Sequence, residues 1–357
     1  MNATSSAADT LFANWQALRA AEPGLRAREL AERLNASEGE IVAARAGRDL
    51  GVTRLDSRFR AMIEAMPAIG RVMCLTRNDD VVHERKGAFL GVDLNDWGGV
   101  VLGPDIDLRI FFSEWKAGFL VEEEAHGRAL RSLQFFDKAG IAVHKIYVQP
   151  ETDLAAFDAL VTAHRAEDQS PGLVVEACAP KPQMLPVADS VDVASFRQGW
   201  AEMTDTHQFF GLLKAHGLTR YQALHLAEER FARRIGKDAL ERVLNGAAKS
   251  GQPIMVFVGN PGCIQIHTGP VRNIKVMGDW LNVLDPDFNL HIRADQIAEI
   301  WAVRKPTEDG IVTALEILDQ DGNHFLQLFG ERKPGQPERE DWRALVQAVC
   351  DPELSVA

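Results

Sequence analysis

RNDDVVHERKGA (77–88) aligns with GNPGCIQIHTGP (259–270), 182 residues further along the chain. Two more pairs keep that offset: GPDIDLRIF (103–111) with DPDFNLHIR (285–293), and LQFFDKAGIAV (133–143) with LEILDQDGNHF (315–325). The same register sets Ser37 on Thr219, Glu40 on Gln222 and Asn35 on Gly217. A constant register without gaps marks a tandem duplication. In a duplicated fold, positions that the copies share report architecture. Positions where the copies disagree are the better candidates for function.

Each copy reads as helices followed by short strands. THQFFGLLKAHG (206–217) carries Phe209, Phe210, Leu212, Leu213 and Ala215, an apolar set compatible with one buried helix face, and Gly217 is its expected C-cap. LTRYQALHLAEERFARR (218–234) then opens a second helix with Thr219 and Gln222 three apart, a capping box in which each side chain meets the other's free backbone N–H. Ser37 and Glu40 make the same box in the first copy, and Asn35 there replaces the glycine cap. RVMCLTR (71–77), PIMVFVG (253–259), LRIFF (108–112) and LHIRA (290–294) are β-rich. Residues 128–148 and 310–330 each read as a hairpin, turning at Lys138–Gly140 and Gln320–Gly322. The gaps are too short for crossover helices, which predicts antiparallel meanders. LAAFDALVTAH (154–164) and REDWRALVQAV (339–349) close the copies, now offset by 185. The expected fold is α+β: a tandem duplication in which each half is a large antiparallel sheet with packed helices. The expected division is an N-terminal repeat over 1–167, a connection over 168–192 with four prolines and no period, and a C-terminal repeat over 193–357.

A length of 357 residues suits two domains of ordinary size. The net charge of −12 opposes a broad phosphate-neutralising surface, so nucleic acid is not expected as the main partner. Four scattered cysteines form no CxxC pair and suit a reducing compartment. The N-terminal stretch lacks the basic start and apolar core of a signal peptide. No run of eighteen apolar residues exists, so stable membrane insertion is not expected and a cytoplasmic location is. Glycine-rich phosphate loops, HExxH, EF-hand and GxSxG motifs are all absent from the sequence.

The offset exposes where the copies differ. His207 stands on Leu25, Arg220 on Glu38, Lys305 on Glu123, Gln327 on Lys145, and Arg109 on His291. The second copy thus holds an imidazole and two cations where the first holds an aliphatic residue and two carboxylates. Each has a plainer reading. A histidine at a helix start is most often just polar, Arg220 in a first turn needs only a salt bridge to offset the helix dipole, and Lys305 in VRKPTEDG (303–310) reads as a solvated loop lysine. Together they suit a dianionic, largely apolar ligand gripped by a histidine.

MTDTHQFFGLLKAHGLTR (203–220) resembles the signature of the cytoplasmic haem-utilisation proteins of Gram-negative bacteria, the hemin-degrading factor or HemS/ChuS/PhuS family. The likeness runs over nearly the whole chain, including the duplication, DLRIFFSEW (107–115) and FLQLFG (325–330). It implies two similar halves and one haem b in a cleft between elements of both. It makes His207 the proximal ligand of the haem iron, Arg109 the distal arginine, Phe111 a distal-side aromatic, Arg220 and Lys305 the propionate partners, and Gln327 a pocket-lining residue. His216 and His225 lie near in sequence and are weaker candidates for a secondary ligand. The second ring nitrogen of an axial histidine needs an orienting acceptor, and Asp205 and the Met203 carbonyl both lie within reach in sequence.

Two functions fit this set. One is a haem-binding protein of haem uptake and iron acquisition, which holds imported haem and delivers it to a haem oxygenase, with an inner-membrane haem transporter as a second partner. The other is an enzyme that opens the porphyrin with an electron donor and O₂ or peroxide, with Arg109 then catalytic. The residues do not choose between them, because the haem carries the oxidative chemistry in both. A repeat protein that binds proteins or nucleic acid and merely keeps the fold is disfavoured by the acidic charge and the asymmetric His/Arg/Lys set.

Overall fold

A computed structural model of the chain describes residues 3–125, 127–178, 184, 186–187, 189–333 and 335–350. The first half supplies α1 (Ala3–Ala21), α2 (Ala27–Arg33), α3 (Glu38–Arg45), β1 (Val52–Leu55), α4 (Phe59–Ala65), β2 (Gly70–Arg77), β3 (Val81–Ala88), β4 (Gly91–Leu94), β5 (Gly98–Leu102), β6 (Asp107–Phe111), β7 (Ala117–Ala125), β8 (Arg128–Phe136), β9 (Ala142–Thr152) and α5 (Leu154–Ala163). The second half repeats that order: α6 (Val193–Ala201), α7 (Gln208–His216), α8 (Arg220–Leu226), β10 (Ala232–Ile235), α9 (Ala239–Ser250), β11 (Ile254–Asn260), β12 (Cys263–Gly269), β13 (Ile274–Met277), β14 (Trp280–Leu284), β15 (Phe288–Arg293), β16 (Glu299–Thr307), β17 (Gly310–Leu318), β18 (His324–Gly330) and α10 (Glu340–Cys350).

The chain divides into two compact units: the described residues of Met1–Arg77, Glu84–Ala179 and Gly259–Gln265, and those of Asn78–His83, Pro180–Val258 and Ile266–Ala357. In the first, β1, β7, β8, β9 and β2 pair antiparallel in that order, and β4, β5 and β6 form a meander. In the second, β10, β16, β17, β18 and β11 pair in the same way, and β13, β14 and β15 form the meander. The fold is therefore α+β with large antiparallel sheets flanked by helices, as the strand spacing implies.

Local chemistry repeats with the register. Ser37 with Glu40, and Thr219 with Gln222, form complete capping boxes at α3 and α8. Asn35 and Gly217 both sit in the left-handed region, with φ 49° and 62°. The hairpins turn through Gly140 and Gly322, and each carries a bulge, at Phe135/Phe136 and Ile317/Leu318. Asn78 and Asn260 play one part twice. Each side-chain oxygen accepts two backbone N–H groups of its own turn, and each amide donates 2.8 Å to a strand carbonyl, Phe325 and Val143 respectively.

Three features depart from the sequence reading. Each copy opens with three helices rather than two, and each has a further strand and helix, β1–α4 or β10–α9, before the main strands. The helix read over 218–234 ends at Leu226. Residues Ala232–Ile235 pair instead with β16, where Phe231 and Ala232 bury against the sheet. Of the apolar set on α7, only Phe209 and Leu213 are buried, because they lie four apart and share a face that Phe210 and Ala215 do not.

Residues 179–183, 185 and 188 of the expected connection lie outside the described residues. Its described beginning is docked on the first unit. Gln169 bonds both the N–H and the carbonyl of Arg54, Gly172 donates to Ala43 at 2.9 Å, and Glu176 donates to Lys138 at 2.8 Å. Its described end serves the second unit, where Val187 and Val191 pack beneath α6–α8 and the Pro186 carbonyl accepts from Gln222.

In the second unit the helices cover both faces of the ladder. On one face, Leu240, Val243, Leu244 and Ala247 of α9 and Trp342 and Val346 of α10 bury against Leu315, Ile317 and Leu328. On the other, Phe196, Trp200, Phe209, Leu213 and Leu224 of α6–α8 bury against Val303, Ala314 and Leu318. This second layer positions the candidate site.

Candidate functional site

The site begins at the turn into α7. Met203 is buried and anchors the turn to the core. Thr204 and Gln208 then brace each other: the Gln208 Oε1 accepts from the Thr204 N–H at 2.8 Å, and its Nε2 donates to Thr204 Oγ1 at 3.1 Å. Between them Asp205 folds over the helix start. Its Oδ1 accepts the His207 backbone N–H at 2.7 Å and lies 2.6 Å from His207 Nδ1. Those two contacts from His207, the backbone one first, hold the Asp205 carboxyl below its ordinary range. Of the two acceptors that sequence left open, Asp205 is the one in contact with the ring. The imidazole is thereby fixed through Nδ1, while its side chain is 94% exposed and presents Nε2 outward.

The outward face of α7 continues the pattern. Phe210, Gly211 and Lys214 follow His207 at helical spacings of three, four and seven. Phe210 is 74% exposed, and nothing lies within 4 Å of the place a Gly211 Cβ would occupy. An exposed aromatic beside a bare stretch of helix and a fixed imidazole makes a surface that a flat apolar ring can approach closely. The sequence pattern places Phe210 in the buried face of α7, whereas it lies on the exposed one.

The buried face of α7 meets the charged residues. Glu316 on β17 is fully buried, with Arg220 Nη1 at 2.8 Å, Lys305 Nζ at 2.7 Å and Gln327 Nε2 at 2.7 Å. Phe209 roofs the cluster, its ring 4.4 Å from Lys305 Nζ and 5.2 Å from the Arg220 guanidinium. Burial alone would raise the Glu316 carboxyl, but the charges of Arg220 and Lys305 hold it well below the usual carboxylate range. Burial and the Arg220 charge push His324 down to about 3, so it stays neutral. Lys305 is a buried strand residue, not a solvated loop lysine, and the partner that offsets the helix dipole at Arg220 is internal. Glu316 was missed in the sequence. The signal was there: one carboxylate on the face that also carries Ala314 and Leu318, with Gln134 at the same place in the first copy.

The structure thus gathers Arg220, Lys305 and Gln327 around one carboxylate, beneath the helix that carries His207. Arg109 and Phe111 belong to the first unit. Arg109, on β6, is ion-paired with Asp107 and donates to the Leu108 carbonyl at 3.1 Å; Phe111 is partly exposed. His225 Nε2 lies 3.0 Å from Glu299, beside Tyr221 and Trp301, which occupies the nitrogen a ligand would use. His216 packs edge-on against Phe196. Among the described residues, no helix is long and apolar enough to cross a membrane.

The haemin-degrading HemS.ChuX domain family matches residues 35–164 and again residues 217–349. The chain belongs to this family. The two matches start at the offset of the repeat, so the duplication is a duplication of the family's domain. The chain is 38% identical over 347 residues to HmuS, a hemin transport protein of Yersinia pestis, covering 97% of this chain and 99% of that one. It is 48% identical to PhuS, a heme-binding protein of Pseudomonas aeruginosa whose haem-bound crystal structure superposes with a TM-score of 0.91, covering 96% and 99% of the two chains. It is 36% identical to ChuS, a heme-degrading enzyme of Escherichia coli O157:H7, with a TM-score of 0.88 and the same coverage.

Proposed function

We propose that this protein is a cytoplasmic haem-binding protein of haem uptake and iron acquisition, which holds ferric haem b on the outer face of α7 and delivers it to a haem oxygenase. The observation that carries this reading is the fixed, outward imidazole: Asp205 engages Nδ1 and leaves Nε2 for the iron. An acceptor on one nitrogen fixes the tautomer that keeps a lone pair on the other. Phe210 and the bare surface at Gly211 suit a porphyrin face.

Arg220 and Lys305 are the proposed propionate partners. They share one carboxylate, so the cluster keeps one positive charge in surplus, and a single propionate would balance it. Arg220 keeps part of its side chain exposed and is the one that can reach a propionate directly, whereas Lys305 is buried against Glu316 under Phe209 and would act through the charge it adds to the cluster. Gln327 holds Glu316 in place from β18.

The carrier reading is preferred because the relatives at 48% and 38% identity are a heme-binding and a hemin transport protein. The similarity to a heme-degrading enzyme keeps the second reading, porphyrin opening by this chain itself. One experiment decides each question. Replacing His207 with alanine is expected to remove the ferric Soret signature and weaken hemin binding about a hundredfold, roughly 2.7 kcal/mol. An unchanged spectrum and affinity would place the ligand elsewhere. Single turnover of the hemin complex with a reductant, with and without catalase, separates the readings. Tetrapyrrole opening that catalase abolishes is coupled oxidation by free peroxide and leaves the carrier; opening that survives catalase makes the chain the enzyme.

A further inference from the structure

The charged cluster beneath α7 already holds a carboxylate of its own. Glu316 has no exposed side-chain surface, and both of its oxygens are engaged. Oε2 accepts from Arg220 Nη1 at 2.8 Å, and Oε1 accepts from Lys305 Nζ and from Gln327 Nε2, each at 2.7 Å. Donors from α8, β16 and β18 thus converge on one group of β17. The repeat partner of Glu316 is Gln134, an uncharged residue whose amide donates to Ser132 at 3.0 Å. The central carboxylate therefore belongs to the copy that carries His207.

A haem propionate is the same chemical group, and Glu316 holds the residue that a propionate would use. Lys305 is closed off by burial and by the Phe209 ring, so an anion approaches the cluster through Arg220, which is 28% exposed. Glu316 occupies Arg220 from the inner side. A competitor fixed in the same fold acts at a high effective concentration, about millimolar or more. It also remains when a ligand leaves. Neither Arg220 nor Lys305 is then stranded in the core, a strongly unfavourable state for a buried charge.

Resting on the haem reading, we propose that Glu316 is a built-in rival of the propionate: it shares Arg220 with the ligand, weakens the grip on haem, and keeps both cations paired when the site empties. A residue that only braced the fold would favour ligand binding, whereas Glu316 opposes it. The opposition is confined to ligands that bring an anion of their own. Such a limit suits a protein that must hand on what it holds, because the pairing lost on release is replaced from within.

The test is equilibrium titration of the full-length protein with hemin and with hemin dimethyl ester, whose propionates carry no charge, together with the rate at which excess apomyoglobin removes hemin. In the parent, the preference for hemin over the ester should stay below about tenfold, less than a full charge-assisted contact gives. Glu316→Gln should bind hemin about tenfold more tightly and lose it about tenfold more slowly, with ester affinity unchanged. A purely structural Glu316 predicts the opposite sign, weaker binding of both ligands. Because Glu316→Gln leaves two cations together, the double variant Glu316→Gln/Lys305→Met is measured beside it. That variant removes one charge of each sign, and exchanging a whole buried ion pair for neutral groups is generally tolerated. It too should prefer hemin over the ester more strongly than the parent does, since Arg220 no longer shares its guanidinium with Glu316. A parent preference above about a hundredfold, a preference that neither variant raises, or a gain that the ester shares overturns the proposal and leaves the haem reading in place. A parent that binds neither ligand overturns both.

Discussion

The two units build one buried cluster twice, with the charges exchanged between positions. Position by position, Glu38, Glu123, Gln134 and Lys145 of the first copy stand against Arg220, Lys305, Glu316 and Gln327 of the second. In the second, two cations close on a central carboxylate. In the first, the carboxylate moves to the helix start, where Glu38 also suits the α3 dipole, and Lys145 and Arg77 come to it from β9 and β2. The scaffold accepts either polarity so long as each buried charge closes locally. The second copy also adds an outward imidazole, His207, where the first has Leu25.

The largest effect is expected from removing the central carboxylate. Glu316→Gln strands Arg220 and Lys305 beside each other in the core, a cost of about 3–5 kcal/mol. Glu38→Gln should cost less, because Glu38 holds two cations whereas Glu316 holds two cations and the Gln327 amide. Chemical denaturation of the two variants measures both values. An Glu316→Gln protein as stable as the parent would mean that the cluster is not the closed unit the geometry describes.

Acid should act on the same pair. Burial would raise the Glu38 carboxyl, but Lys145 and Arg77 overcome it and bring it down to about 2 from an ordinary 4.5. Glu316 is depressed as well. A carboxylate with a lowered folded-state pKa stabilises fully above its unfolded value and loses that contribution as the pH falls through the folded one. Stability should therefore decline below about pH 4.5 and keep declining to pH 2 and beyond. Glu38→Gln should flatten that slope, and an unchanged slope would detach Glu38 from acid unfolding.

What sequence could show of all this follows from the range of each interaction. The duplication, both capping boxes, the hairpin turns and the closing helices rest on residues a few positions apart, and they are legible. The overrun of α8 is a competition between local and long-range terms. AEERFARR has good helix formers, but pairing Ala232–Ile235 with β16 buries Phe231 and Ala232, and tertiary burial wins. The missed β1–α4 and β10–α9 elements are of the same kind, since four-residue edge strands carry little periodic signal. At the site, His207 and the cations were legible as asymmetries between the copies. Glu316 is an asymmetry of the same kind, against Gln134 in the first copy. A single carboxylate inside a strand carries little local signal, because the sequence alone does not say which face of the sheet is buried.

A smaller effect separates ligand from support. Asp205→Asn keeps the shape of the turn but weakens the acceptor that fixes His207 Nδ1. Hemin affinity should fall by about 10–100-fold, less than on removing the imidazole itself. The Soret band should persist with altered position. Its complete loss would make Asp205 a determinant of the turn rather than of ring orientation, and no change at all would make the 2.6 Å contact incidental.

The smallest expected effect tests what the copies share rather than what divides them. Ser37 and Thr219 cap α3 and α8, each accepting the backbone N–H of the third helical residue at 3.2 Å, Glu40 and Gln222. Each side chain of that third residue returns to the cap's own N–H, at 2.8 Å and 2.9 Å. Losing such a cap costs about 1 kcal/mol. Ser37→Ala and Thr219→Ala should therefore destabilise by nearly the same amount, with hemin affinity unchanged by the first. Ser37 has one extra contact, its hydroxyl donating 2.7 Å to Glu40 Oε2, so any difference should fall on its side and stay within a few tenths of a kcal/mol, the scale of one exposed hydrogen bond. If the Thr219 variant loses much more, α8 is held by its cap more than by the Glu316 cluster behind it. The two copies would then differ in how they are built as well as in what they bind.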